Sequence, residues 1–440
     1  MELLSASLLG RLIVLFFGIL CFLTGLRYRT KIEHLSNAKF QKYFWLFWGV
    51  SRVGIFTLFY FILQWEVTGD VIGYYYPQAQ AVLSGAHIYQ DFPSSYAPLF
   101  PYVLAIITGW WNTPLVIILL AIIMEALTLI CWQKAAPRIN GKEIFRIASF
   151  LYLTAPLVLL NISVNGQNQI WIAAFIALSV LLVLNKKDFW AGLAFSGSLI
   201  FVKFLALLFL PVLFFLARNR IKWSMGFLLL PLLVYGFLIF QGQDILVPIK
   251  AEAMLTSAGN IPYIVTSFLG IRNGLRIENS YVQLFFYAIL LIFLSGIILL
   301  LFSNRRLTQV KYFPATLTLF LSLFLLLSNK SQTSYLVIGW FPVCLLLAKD
   351  GITKARACLF LVLSTLTILE PAFWYRSQFV SLDVIWNASI SDPVWKEGII
   401  MFIFDTILLL GYLQLVKISC RELNTEIITS RKLKLVVPKY

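Results

Sequence analysis

The sequence predicts an all-α integral membrane protein. Its spans form a helical bundle of about thirteen transmembrane helices, and its first outer loop carries juxtamembrane helices. Three observations lead there. Hydrophobic residues make up 60% of the 440 and charged residues only 12%, whereas a soluble domain is about 25% charged and a single core can bury only a limited apolar surface. Apolar runs of about 17–25 residues recur, the length a bilayer core demands of a helix. The cations gather in short loops between those runs, the pattern of cytoplasmic loops, which accounts for the net charge of +16 without a nucleic-acid partner. Aromatics spread along the chain argue against a lipid-facing barrel, which shows short alternating segments.

The N-terminal run Leu3–Leu26, with its apolar span at Leu8–Leu26, lacks a basic leader and a small-residue cleavage site, so it reads as a retained helix. Arg27, Arg29, Lys31, Lys39 and Lys42 follow against one acid, Glu33, and mark an inner loop. Tyr43–Leu63 then climbs outward and places Trp65–Pro101 outside. Leu99–Trp111 is too short to cross and reads as an interfacial helix, with Trp110 and Trp111 at the headgroups. Pro114–Trp132 returns to an inner loop with Lys134, Arg138, Lys142 and Arg146. Ile147–Ser163 leads out to a polar turn, Asn165-Gly166-Gln167-Asn168-Gln169, and Ile170–Leu184 leads back to Lys186 and Lys187.

Phe189–Ala217 is long for one span and short for two, so it reads as a tight hairpin with Lys203 near its outer turn. Trp223–Gln241 goes out to a second outer loop, Gly242–Asn279. Tyr281–Phe302 returns to Arg305, Arg306 and Lys311; Phe313–Leu327 goes out to SNKSQTS. Tyr335–Ala348 returns to Lys349, Lys354 and Arg356; Ala357–Leu369 leads to a third outer loop, Glu370–Lys396; Glu397–Val416 ends in a basic cytoplasmic tail, 417–440. One integral domain, 1–440, with an outer catalytic loop, 64–112, is the simplest account.

Chemistry points to the first outer loop. It holds Glu66, Asp70, His87 and Asp91 and no Lys or Arg. An aspartate just past a helix end sits partly desolvated at the membrane surface, where it can accept a proton. Tyr74, Tyr75 and Tyr76 follow it, with Tyr89 and Tyr96 beyond; tyrosine faces stack on sugar rings and their hydroxyls orient polar ligands. Lys203, a cation between apolar half-spans, is a functional candidate because membrane burial of charge is costly. Lys330, with Gln332 and Tyr335 beside it, is a second outer cation, and either lysine suits a lipid phosphate. Gln167 and Asn168 offer neutral hydrogen bonds to sugar hydroxyls. Glu125 and Asp405 lie in apolar spans, as proton relays or as bonds between helices. Arg272, Arg276 and Arg376 are weaker phosphate candidates, and Asn387-Ala388-Ser389 is an outer sequon. No cysteine of five falls in an outer loop, so no disulfide is expected. Two histidines, His34 and His87, rule out a histidine-rich metal site. No P-loop, dinucleotide fingerprint or zinc-protease motif occurs, so an activated substrate would be lipid-borne.

These residues, in order, resemble the GT-C class of membrane glycosyltransferases that use polyprenyl-phosphate sugars, in its family-87-like and GPI-mannosyltransferase-like branch. Gly69-Asp70, Tyr74 to Ala79, Leu83-Ser84-Gly85, Ile88-Tyr89 and Tyr96-Ala97-Pro98-Leu99 are similar to that class's first outer loop. Gly166-Gln167-Asn168, Ala191-Gly192-Leu193 through Lys203, and Asn329-Lys330, Thr333-Ser334, Tyr335 and Pro342 resemble its later motifs. The resemblance implies a hexosyltransferase, with mannose among its sugars. Asp70 is then the general base, Lys203 and Lys330 meet the donor phosphate, and Tyr74, Asp91, Tyr96, Gln167, Asn168 and Tyr335 meet sugar and acceptor. The implied partners are the polyprenyl-phosphate sugar, a glycan, lipid or protein acceptor, and membrane lipids. The chain departs in an extra helix before the usual first span and in GDVIG, which lacks a nearby second acid, so a divalent metal stays an open expectation. The other reading is a transporter or flippase of lipid-linked glycan that uses Glu125 and Asp405.

Overall fold

The computed structural model describes residues 2–253, 257–268, 272–273, 276–277, 280–377 and 393–436. The sequon Asn387-Ala388-Ser389 lies outside the described residues, as do the side chains of Arg272, Arg276 and Arg376. The chain runs through α1 (Glu2–Arg27), α2 (Arg29–Glu33), α3 (Asn37–Thr57), α4 (Tyr76–Leu83), α5 (Phe100–Trp110), α6 (Leu115–Asn140), α7 (Lys142–Thr154), α8 (Pro156–Ser163), α9 (Gln169–Leu184) and α10 (Asp188–Phe201). It continues through α11 (Leu210–Leu216), α12 (Arg220–Phe240), α13 (Val247–Ala253), α14 (Ile261–Phe268), α15 (Ser280–Ser303), α16 (Phe313–Leu327), α17 (Trp340–Ala348), α18 (Lys354–Ser377) and α19 (Pro393–Val436). Between α14 and α15 lies a small antiparallel hairpin, Arg272–Asn273 with Arg276–Ile277.

Eight of these helical stretches are long and apolar enough to cross a membrane, and nine if α7 and α8, bent by 57°, count as one. Pro156 explains the bend, because it has no N–H to continue the ladder and its ring crowds the preceding turn. α12 and α15 are mostly exposed along their apolar length, as lipid-facing helices are, whereas 83% of the α16 span is buried. Two glycines let α10 and α12 touch: a Cβ on Gly192 would stand 2.0 Å from the Trp223 carbonyl oxygen, and one on Gly226 1.9 Å from that of Phe189.

The loops sort onto two ends of the bundle. At one, Arg138 donates to Asn185 Oδ1 and the Leu184 carbonyl, Arg146 to the Glu33 carbonyl and Asn37 Oδ1, and Arg29 to the Ile352 carbonyl. Asp188 accepts the backbone N–H groups of Arg218 and Asn219 there, and Lys349 pairs with Glu422. At the other end, the Tyr60 hydroxyl donates to the Val164 carbonyl, Ile88 and Tyr89 pack with Leu238, and the Ser257 N–H bonds the Asn329 carbonyl. The segments expected inside meet at the first end, and those expected outside meet at the second.

The structure moves two boundaries. α6 continues to Asn140, so Lys134 and Arg138 ride its last turns and the connection shrinks to Gly141, whose φ of +88° suits glycine. Cations favour a helix C-terminus and snorkel past the apolar core, so charge there does not end the helix. For the same reason the basic tail is helical to Val436.

The core also contains a sealed ion pair. Arg52 and Glu125 are fully buried and 2.8 Å apart, with two further bonds from Arg52 Nε at 3.1 and 3.0 Å. Trp48 Nε1 donates to Glu125 at 2.9 Å, and Arg52 also donates to Ser51 and the Leu153 carbonyl. Glu125 therefore ties α3 to α6, with both carboxylate oxygens occupied.

Candidate active site

The loop after α3 closes over the second of these ends through a wide, π-type turn, Val71–Tyr75, that begins at Asp70. Gly69, at φ +72°, turns the chain into it. In that turn Val71 and Tyr75, four residues apart, both face inward and are fully buried, while Ile72 and Tyr74 face out. Beneath it lies the Asn165–Gln169 turn. A Cβ on Gly166, at φ +56°, would stand 2.9 Å from Ile118 and 3.1 Å from Val71, so glycine alone lets the turn nest under the loop.

The far part of the loop is held to the hairpin. α10 ends at Phe201, and its last carbonyls need partners. Ile200 and Val202 offer theirs to the N–H groups of Leu99 (2.9 Å) and Ala97 (3.0 Å). Lys203 follows in extended conformation, φ −159° and ψ 154°, before a tight helical turn leads to α11. Its Nζ stands 4.6 Å over the Tyr96 ring, a cation–π contact. Tyr96 is fixed in turn. Its carbonyl accepts the Tyr89 hydroxyl at 2.5 Å, and its N–H donates to Ser94 Oγ at 3.1 Å, which itself donates to Gln78.

Tyr75 links the two halves. Its ring meets the Tyr96 and Phe100 rings edge-on, each at 5.2 Å between centroids. Burial, with the Asp70 carboxylate next and Tyr335 nearby, holds its hydroxyl well above the usual tyrosine range, so it stays a proton-bearing donor. The Asn168 N–H and the Tyr96 hydroxyl approach it and oppose that shift, without reaching hydrogen-bond geometry.

Asp70, Tyr96, Asn168 and Tyr335 therefore gather around Tyr75, with Lys203 over the Tyr96 ring and Gln167 in the turn below. Tyr335 is buried in the tight turn before α17. Two other expected residues stand apart, Tyr74 and Asp91. Tyr74 is 53% exposed on the opposite side of its turn. Asp91 is exposed and closes its own loop, accepting the His87 N–H at 2.6 Å with the imidazole 3.4 Å away. Lys330 is half-buried in the loop after α16, its N–H bonded to Ser328 Oγ, while Asn329 next to it donates to the Gln283 carbonyl. Among the described residues no three His, Cys, Asp or Glu side chains gather in a metal-holding group.

Comparison with known proteins matches the chain to no family model, no curated relative and no solved structure. The chemistry is therefore read from the site. It offers a half-buried carboxylate beside Tyr75, a lysine over the ring of its partner Tyr96, and neutral hydrogen-bonding groups near the tyrosine pair. Sequence reasoning named Tyr75 only within a run of three tyrosines; the signal that picks it out is its spacing of four from Val71 in a wide turn.

Proposed function

We propose that the chain is a membrane glycosyltransferase. It moves a sugar from a polyprenyl-phosphate donor to an acceptor hydroxyl on the non-cytoplasmic face. Asp70 takes the proton of the acceptor hydroxyl. The freed oxygen attacks the anomeric carbon as the bond from that carbon to the phosphate oxygen breaks, and the polyprenyl phosphate departs with the bonding pair. Lys203 balances the charge that develops on the leaving group, with Lys330 as a second cation for the carrier phosphate. Holding both substrates at one outer chamber supplies the remainder through proximity.

One observation carries this reading: the loop that bears Asp70 is hydrogen-bonded to the break that bears Lys203, with Tyr75 and Tyr96 between the two charges. The thirteen-span arrangement belongs to the same proposal. The shorter helices α9 and α10, about 24 and 21 Å long at 1.5 Å per residue, each have one end among the inner cations and the other at the site. In this arrangement α5 lies at the outer interface. Transport of a lipid-linked glycan is the weaker reading, because Glu125 is engaged by Arg52 and Trp48.

The test is reconstitution in liposomes with a panel of labelled polyprenyl-phosphate sugars. Label in an acceptor and release of free polyprenyl phosphate are expected. Donor that crosses the bilayer chemically unchanged, with no transfer across the panel, would overturn the proposal.

A further inference from the structure

Below Asp70 the fold buries polar atoms that it does not bond. Both amide atoms of Asn168, Oε1 of Gln169 and the Tyr75 hydroxyl lack a hydrogen-bond partner among the described residues. Their residues are 1%, 2% and 0% exposed. Buried polar groups are normally satisfied, and each exception requires an explanation. Asn161, in the helix just before, obeys the rule: its amide donates to the Leu157 carbonyl at 2.9 Å. Their residues are neighbours. Asn168 precedes the first turn of α9, a helix of 16 residues, Gln169 begins that helix, and the Tyr75 hydroxyl approaches the Asn168 N–H.

The donor and acceptor inventory fits alcohols. Asn168 offers a donor and an acceptor, Gln169 an acceptor and Tyr75 a donor, which complements hydroxyls that both give and take a proton. None of the three carries a cation for a phosphate; Lys203 stands over the Tyr96 ring. We infer that Tyr75, Asn168 and Gln169 bind the hydroxyls of the sugar being transferred, an uncharged ring that lies between Lys203 and Asp70. This rests on the proposed glycosyl transfer. It adds Tyr75 and Gln169 to the site and assigns this floor to the donor sugar rather than to the carrier or the acceptor.

The experiment compares wild type with Tyr75→Phe and Gln169→Met, both of which preserve packing volume. The substrates are the accepted polyprenyl-phosphate sugar and its monodeoxy analogues. Each variant is expected to lose about tenfold to a hundredfold in kcat/KM with the parent sugar. It loses far less with the analogue that lacks the hydroxyl its side chain binds, and carrier-chain length makes no difference. Equal loss with every analogue, or no loss, overturns the inference while the glycosyltransferase reading stands. Donor binding read by tryptophan fluorescence must rank the analogues in the same order. A wild-type protein that neither binds nor transfers any donor overturns both.

Discussion

Replacing Glu125 with leucine removes the partner of a guanidinium that has no route to water. Arg52 then keeps only Ser51 Oγ and the Leu153 carbonyl, and the Trp48 indole N–H loses its acceptor. Breaking a buried pair from one side costs about 3–5 kcal/mol, because the surviving charge stays buried without compensation. Removing both charges, as Arg52→Met with Glu125→Leu, leaves an apolar contact of similar volume and costs little beyond repacking. The two single losses together therefore exceed the double loss, with a coupling of about 4 kcal/mol or more. Unfolding of the purified protein in mixed micelles of increasing sodium dodecyl sulfate, followed by tryptophan fluorescence, measures all four proteins. A Glu125→Leu variant as stable as wild type, or single losses that simply add, would refute the structural role. A glutamate that carried protons would instead abolish coupled transport and leave the unfolding curve in place.

Other outcomes follow from the same geometry. Gly226→Val drives a side chain into the Phe189 carbonyl and should cost about 1–3 kcal/mol or more through separation of α10 and α12, seen in the same unfolding assay. Asp188→Ala leaves the Arg218 and Asn219 N–H groups without their acceptor and should cost about 1–2 kcal/mol at the start of α12. In a cysteine-free background, Thr68→Cys should react with an impermeant maleimide applied from outside intact cells, and Lys186→Cys only after permeabilisation; identical labelling of the two would refute the two-ended arrangement. Lys203→Met should raise the KM for a polyprenyl-phosphate donor and lower kcat, and unchanged kinetics would remove Lys203 from the phosphate site.

The sorting of loops onto two ends was legible in the sequence because cations cluster at one end, and the structure brings Arg29, Arg138, Arg146 and Lys349 together there. The polar Asn165–Gln169 turn and the break at Lys203 were legible for a related reason, since polar residues inside apolar runs are costly unless they have a role. Helix ends were not, because Lys134, Arg138 and the basic residues after Val416 prolong α6 and α19 without breaking them. The run Tyr74-Tyr75-Tyr76 gave no means of choosing the inward ring, since that choice depends on the wide turn after Asp70. Asp91 looked like a site acid, yet an aspartate four residues after a histidine in a short loop also satisfies local turn geometry, and that is where it is spent. Glu125 carried no sign of its partner, because Arg52 lies 73 residues away in an otherwise apolar span.

The most direct test of the central claim is the rate of sugar transfer by Asp70→Asn in proteoliposomes, beside wild type at equal folded protein. The substitution keeps the shape of the side chain at the start of the wide turn and removes its capacity to take a proton. The account predicts normal folding and donor binding with transfer reduced by about a hundredfold or more. Transfer at the wild-type rate would contradict it.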